Sequence, residues 1–238
     1  MIKELKWDSA FFKRKIGQLQ VSRETLHEVP RAVEKARVEK FRYLLCRLNA
    51  QDTYLIRELE STGFYLCDIG VTWQKRTAGL TPTGAGSRGF FAGAPPRRAA
   101  GEDVPMLRDV VRSLFRDSRF YHDPFFSEEE AERLYQTWIE NSVKGEAAEI
   151  VFCVPGKGVV ACGKSDHSGK IVLIGVKEDA RGQGIGRALT EKAMEWFIDQ
   201  GLDSACVRTQ LRNLGAMNFY CRLGFTVTEY DITLGKVL

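Results

Sequence analysis

The branched apolar run Ile171-Val-Leu-Ile-Gly-Val176 is followed, four residues on, by Arg181-Gly-Gln-Gly-Ile-Gly186, and that order leaves few folds open. The run reads as a buried strand, and Arg187–Asp199 carries the apolar spacing of an amphipathic helix. Between them, three glycines let the backbone close on a ligand, and their N–H groups converge where the helix begins. Such a turn suits an anionic group, most simply a phosphate or pyrophosphate. It lacks the Lys-Ser/Thr of a P-loop, and Gly182, Gly184 and Gly186 do not have the spacing of the dinucleotide fingerprint. A glycine-rich loop can also merely turn the chain, but strand, loop and helix in this order favour the ligand.

The spacing Arg181-x-x-Gly184-x-Gly186 after a strand resembles the first signature motif of the GNAT superfamily of N-acetyltransferases. A second stretch, Asn213-Leu-Gly-Ala216-Met-Asn-Phe-Tyr220 followed by Gly224-Phe225, is similar to that family's closing motif. Ala216 and Tyr220 are four apart and share one helical face. The resemblance covers roughly the last 140 residues. It implies an α/β fold: a mixed, largely antiparallel central sheet with flanking helices, splayed where acetyl-CoA binds. It also implies that Arg181, Gly182, Gly184, Ile185, Gly186 and Arg187 surround the pyrophosphate. The backbone of Ile174 and Val176, with Asn213, would align the pantetheine arm, and Tyr220 would protonate the departing thiolate. The alternative for Tyr220 is an ordinary core aromatic.

Composition narrows the rest. A chain of 238 residues can form one large domain or two small ones around a real core. The net charge of +4 is scattered, which gives little support to binding nucleic acid or a membrane surface. Six cysteines, none in Cys-x-x-Cys, read as buried free thiols in a reducing compartment, with neither disulfides nor zinc. No run suits a signal peptide or a membrane span, so the expected location is the cytoplasm and no metal is expected.

Glycine, proline and small residues dominate 77–98, which reads as a linker between an N-terminal α/β unit (1–76) and the acetyltransferase unit (99–238). Asp103 suits an N-cap, and Ser127-Glu-Glu-Glu130 is a capping box. Pro155-Gly-Lys-Gly158 signals a hairpin, and strand, helix and strand follow around Ala205–Leu234. The N-terminal unit repeats that last layout: Tyr43–Leu48, Asp52–Ser61, Gly63-Phe64 and Tyr65–Trp73. It reads either as a degenerate half of the same fold without the glycine loop, or as a common unit with no shared ancestry.

The segment Asp117–Phe126 is dense in aromatic and hydrogen-bonding groups, and Arg119, Phe120, Tyr121, His122 and Phe125 are its candidates for binding a sugar or nucleobase. The same aromatics could clasp the loop to the core. Ser118–Phe120, Phe125-Phe126, Leu134–Gly145 and the opening Leu5–Phe12 are together similar to the dTDP-fucosamine acetyltransferases of bacterial surface-polysaccharide synthesis. That resemblance implies a nucleotide-aminosugar acceptor, a dTDP-4-amino-4,6-dideoxyhexose, alongside acetyl-CoA, and family habit adds a homodimer. It also matches Asp68 to an acidic position, making it the first candidate for a base; His122, Asp123 and water are alternatives. Two other readings stay open: a different amine acceptor, such as a polyamine, antibiotic, peptide or protein, and a non-catalytic acyl-CoA-binding regulator.

Overall fold

The computed structural model describes residues 1–77, 93–112 and 114–238. Most of the expected linker, 78–92, lies outside the described residues. The first part of the chain forms β1 (Ile2–Glu4), α1 (Lys6–Phe12), β2 (Ile16–Leu19), α2 (Val29–Val38), β3 (Tyr43–Asn49), α3 (Thr53–Ser61) and β4 (Tyr65–Arg76). After the linker come β5 (Arg97–Arg98), α4 (Val104–Arg112), α5 (Arg119–His122), α6 (Glu128–Val143), β6 (Ile150–Val154), β7 (Gly158–Ser165) and β8 (Ser168–Val176). The chain closes with α7 (Ile185–Asp199), β9 (Ser204–Gln210), α8 (Leu214–Arg222) and β10 (Thr226–Val237).

All ten strands belong to one sheet, in the order β1-β2-β3-β10-β4-β9-β8-β7-β6-β5. Strands from before and after the linker interleave at its centre. β10 pairs antiparallel with β3 on one side and β4 on the other, and β4 pairs antiparallel with β9. Two pairings, β2 with β3 and β8 with β9, are parallel.

Side-chain alternation assigns the two faces of the sheet. Tyr43, Leu45, Val151, Cys153, Val159 and Ala161 pack beneath α1, α4 and α6 through Phe12, Leu107, Val111, Leu134 and Ile139. On the other face, Leu44, Cys46, Leu48 and Leu234 meet α2 and α3. Beside them, Phe152, Val154, Val160 and Val207 meet α7 through Ile185, Leu189 and Phe197, with Tyr220 of α8 in the same cluster.

Two helix starts follow from side-chain chemistry. Ser127 Oγ accepts from the Glu130 amide (3.2 Å) while Glu130 accepts from the Ser127 amide (3.0 Å), so both arms of the capping box are made. The expectation for Asp103 needs correcting. It is not the residue that opens α4; it closes a 3-10 turn, Gly101–Asp103, and its carboxylate accepts from the Ala100 amide (2.8 Å) and from Arg97. The polar Gly-Glu before it supplies a turn that continues into α4, so the cap falls further back than one acidic residue indicates.

Two bulges shape the sheet where it is used. In the β7–β8 ladder the register passes from Ala161↔Leu173 to Cys162↔Ile171, leaving Val172 extra. In the β10–β4 ladder it passes from Thr233↔Asp68 to Leu234↔Leu66, leaving Cys67 extra. An extra residue bends the strand and re-aims its side chains.

Candidate active site

The β7–β8 bulge coincides with a parting of strands. β8 pairs with β9 only at Ser168–Ile171, although β8 runs on to Val176 and β9 to Gln210. Beyond Ile171 the two strands diverge, and their facing backbone groups are left for a ligand. The wedge opens into a cavity of about 770 Å³ whose lining includes Ile174, Val176, Arg181, Gly184, Asn213 and Tyr220.

The glycine loop forms one end of that cavity. Gly182 and Gly184 sit at φ +75° and +80°, in the left-handed region that costs a side-chain-bearing residue about 1–2 kcal/mol. Gly184 is the N-cap of α7 and, having no side chain, leaves the first amides of a 15-residue helix without a side-chain cap. Unsatisfied N–H groups and the positive end of the helix dipole therefore face the cavity, which fits a pyrophosphate. Arg181 is exposed and reaches back to the Val176 carbonyl (3.4 Å), while Arg187 pairs along the helix with Glu191 (2.8 Å). Ile185 is buried in the core, so its contribution to the cavity is its backbone.

Asn213 is the N-cap of α8: its Oδ1 accepts from the Ala216 amide (2.9 Å), which leaves the amide nitrogen of the side chain for the cavity. Two turns further on, Tyr220 packs between Phe225 (5.7 Å between ring centroids) and Trp73 of β4 (6.3 Å). Burial pushes its phenol above its ordinary value, so it holds its proton at neutral pH.

A second cavity, of about 520 Å³, lies on the sheet face that carries α1 and α6, with Trp7 and Trp138 at its sides. The segment after α4 joins the two cavities. Leu114, Phe115, Arg116 and Asp117 line the first, and Ser118, Arg119 and Phe120 line the second. Phe115 holds φ +63° and stacks on Tyr135 of α6 (4.6 Å), a strained backbone placed at the junction.

The floor of the second cavity is a polar patch spread over adjoining strands. Arg47 comes from β3, Asp68 from β4, and Arg208 and Gln210 from β9. Alternation puts all four on the same face as Tyr43 and Leu45, and the bulge at Cys67 brings Asp68 to that face directly after Cys67. Arg208 reaches from β9 across Gly70 of β4 to Asp231 of β10, donating from Nε (2.7 Å) and Nη2 (2.6 Å). A Cβ on Gly70 would overlap the guanidinium, so the missing side chain makes the crossing possible.

Asp68 is 2% exposed; Oδ2 lies 3.9 Å from Arg208 Nη2, and Oδ1 has no hydrogen-bond partner among the described residues. Burial raises its carboxyl above the ordinary value, against the opposing pull of Arg208, Arg212 and Arg119. A buried carboxylate with one free oxygen at the wall of a cavity is equipped to hold an amine or to take its proton.

The sequence matches the Acetyltransferase (GNAT) family over residues 108–225. This is an N-acetyltransferase of the GNAT family. It is 26% identical over 233 residues to the dTDP-fucosamine acetyltransferase of Escherichia coli O6:H1, covering 95% of this chain and 93% of that one. It is 29% identical to the spore coat polysaccharide biosynthesis protein SpsD of Bacillus subtilis, over 62% of this chain and 52% of SpsD. Among solved structures, a GCN5-related N-acetyltransferase from Sphaerobacter thermophilus superposes with a TM-score of 0.65 at 16% identity, over 94% of this chain and 73% of that one. GNAT acetyltransferases use acetyl-CoA. No helix among the described residues is long and apolar enough to cross a membrane.

For this GNAT enzyme the structure brings some expected site residues together and disperses others. Ile174, Val176, Arg181, Gly182, Gly184, Ile185, Gly186, Arg187 and Asn213 all line the first cavity with Tyr220. Asp68, Arg119 and Phe120 line the second. Tyr121, His122 and Phe125 line neither. Tyr121 stacks on Tyr135, His122 is exposed, and Phe125 stacks on Tyr43 (4.4 Å) beneath the Arg14 guanidinium. Asp123, an alternative base, is buried away from both cavities and accepts from the Tyr43 and Tyr65 phenols and the Phe125 amide. Its work is to fix the 117–126 segment to β3 and β4. Arg47, Arg208 and Gln210 escape a sequence reading because a polar residue at every second strand position looks like a solvent face.

Proposed function

We propose that this enzyme transfers the acetyl group of acetyl-CoA to the amino group of a nucleotide-linked aminosugar, a dTDP-4-amino-4,6-dideoxyhexose. The observation that carries the reading is the second cavity: a buried carboxylate with a free oxygen, arginines, and tryptophans at its sides, adjoining the acyl-donor cavity through one short segment. Its volume, about 520 Å³, suits a ligand of nucleotide-sugar size. The similarity to a dTDP-fucosamine acetyltransferase over 95% of the chain supports the same acceptor class.

In this reading the transfer is direct, in a ternary complex. Asp68 Oδ1 takes a proton from the sugar ammonium, itself or through one water, and the freed amine attacks the thioester carbonyl. Backbone amides at the strand parting steady the oxyanion, a contribution of about 3–4 kcal/mol in well-studied cases. As the tetrahedral intermediate collapses, the C–S bond breaks and Tyr220 gives its proton to the thiolate. The second amine proton leaves to solvent, and solvent restores the phenol. Asp68 serves better as a base because burial raises its carboxyl, and Tyr220 stays charged with its proton for the same physical reason.

A thiol-release assay with acetyl-CoA and a panel of amines tests the reading. The panel holds dTDP-4-amino-4,6-dideoxygalactose, its gluco epimer, a UDP-aminosugar, spermidine and a lysine peptide. Release with one dTDP-aminosugar fixes the acceptor class and its stereochemistry. Release with spermidine or peptide alone overturns the sugar acceptor and leaves the acetyltransferase intact.

A further inference from the structure

Seven buried side-chain nitrogen or oxygen atoms lack a hydrogen-bond partner among the described residues, and three belong to residues that line the second cavity. They are Asp68 Oδ1, Ser118 Oγ and Arg119 Nη1. A buried polar atom without a partner costs free energy, and an ionised one costs most, unless a ligand completes it. One is an acceptor, one a hydroxyl and one a cationic donor, so the cavity offers an unmet partner to a ligand group of either sign.

The three arginines of this cavity are not equivalent. Arg208 is held by Asp231 through two hydrogen bonds, and Arg47 lies 3.3 Å from the same carboxylate. Arg119 has no carboxylate within ion-pairing distance among the described residues. Instead its guanidinium lies over the ring of Phe120 (4.2 Å) and nearer the edge of contact with Phe126 (5.6 Å). The two rings pack against each other and against Phe12, so they form a fixed shelf. Stacking on that shelf orients the guanidinium plane and leaves Nη1 without a protein partner, while the Asp68 and Asp8 carboxylates of the same cavity feel its charge from beyond ion-pairing distance. The neighbouring Ser118 hydroxyl is a further donor.

We infer that Arg119, with Ser118 beside it, reads the diphosphate of the acceptor and so makes this enzyme select nucleotide-linked sugars over free aminosugars. The inference deepens the acceptor reading above and rests on it. In that acceptor the diphosphate is the anionic arm and the amine the cationic one. The unmet oxygen of Asp68 suits the amine and the unmet guanidinium nitrogen of Arg119 the diphosphate, and this pairing sets which way round the acceptor enters. A guanidinium edge matches two phosphate oxygens at once, and its preorganisation on the aromatic shelf reduces the entropy lost on binding.

The test is a calorimetric titration with dTDP of the full chain saturated with coenzyme A, in the wild-type form and as Arg119→Gln and Arg119→Lys. The inference expects dTDP to bind the wild type. Arg119→Gln should weaken it about thirty-fold and Arg119→Lys should keep part of the affinity, as for loss of a charged hydrogen-bonding partner. Coenzyme A affinity and thermal melting should stay close to wild type in both variants, which a collapsed loop would not allow. Equal dTDP affinity in wild type and Arg119→Gln, or no dTDP binding to the wild type, overturns the inference. Arg119-dependent binding of dTDP without turnover of any dTDP-aminosugar upholds the anion site and overturns the acceptor reading alone.

Discussion

Lys75 and Lys236 make the same contact at opposite ends of the paired strands β4 and β10. Lys75 donates to the Leu223 carbonyl (2.7 Å) at the end of α8, and Lys236 donates to the Thr62 carbonyl (2.7 Å) at the end of α3. Each ammonium also lies near the phenylalanine that follows, Phe225 and Phe64, at 5.9 and 5.8 Å. The two lysines are 161 positions apart, and so are Gly63 and Gly224, Phe64 and Phe225, and the helix caps Asp52 and Asn213. Each unit's last strand thus closes the helix end of the other. At the same offset Tyr220 corresponds to Leu59, a buried residue without a hydroxyl, so the N-terminal unit has no phenol there.

The interleaving predicts that the two units cannot be parted. A chain starting at residue 99 has β9 and β10 but lacks β4, the strand that bridges them. Expressed alone it should show no cooperative melt by circular dichroism and no acetyl transfer. Adding residues 1–98 as a separate chain should restore both. A lone 99–238 fragment that melts cooperatively and turns over acetyl-CoA would refute this.

Tyr220→Phe removes one hydroxyl and keeps the ring packed against Trp73 and Phe225. If Tyr220 protonates the thiolate, kcat falls by about ten- to ten-thousand-fold with little change in acetyl-CoA affinity. Steady-state kinetics with a direct binding measurement decides it; an unchanged kcat removes the role.

Asp68 has a pH signature. A base must be ionised, so kcat/KM should fall as the pH drops through its carboxyl pKa, and burial places that limb above the ordinary carboxylate value of 3.8. Asp68→Asn should lower kcat/KM by about a hundred- to ten-thousand-fold and abolish the limb. A retained limb in the variant would assign it to another group.

The crossing of Arg208 over Gly70 predicts a sensitivity at a residue that touches no substrate. Gly70→Ala puts a Cβ into the guanidinium and should cost about 1–3 kcal/mol of stability, as overpacking does. Asp231→Asn leaves Arg208 without its carboxylate and should cost about 2 kcal/mol. Both should raise KM for the acceptor more than KM for acetyl-CoA. Urea melts and the two KM values check this, and an unaffected acceptor KM would separate the pair from the site.

The first cavity is legible in the sequence because its lining is nearly contiguous: one strand, three glycines, one helix, then a capped helix carrying Tyr220. The second cavity is not. Its floor is drawn from separate strands, and whether Arg47 or Arg208 faces solvent or a cavity depends on which helix covers that part of the sheet. Asp68 is reached in the sequence only through resemblance, since a one-residue bulge sets its direction. The aromatic loop misleads in the opposite sense. Composition marks Tyr121, His122 and Phe125 as ligand contacts, but Asp123 anchors the loop so that Phe125 turns inward onto Tyr43. α1 and α2 pass unread because neither has a side-chain cap to announce it.

The central place of β10 also constrains the order of events during synthesis. It is made after the other nine described strands, yet it separates β3 from β4, which are made earlier. Until residues 226–237 have left the ribosome, β3 and β4 each carry an unpaired edge, and the floor that holds Arg47 and Asp68 does not exist. The floor of the second cavity is therefore assembled only once β10 has emerged, in a single step that joins the first third of these 238 residues to the last quarter.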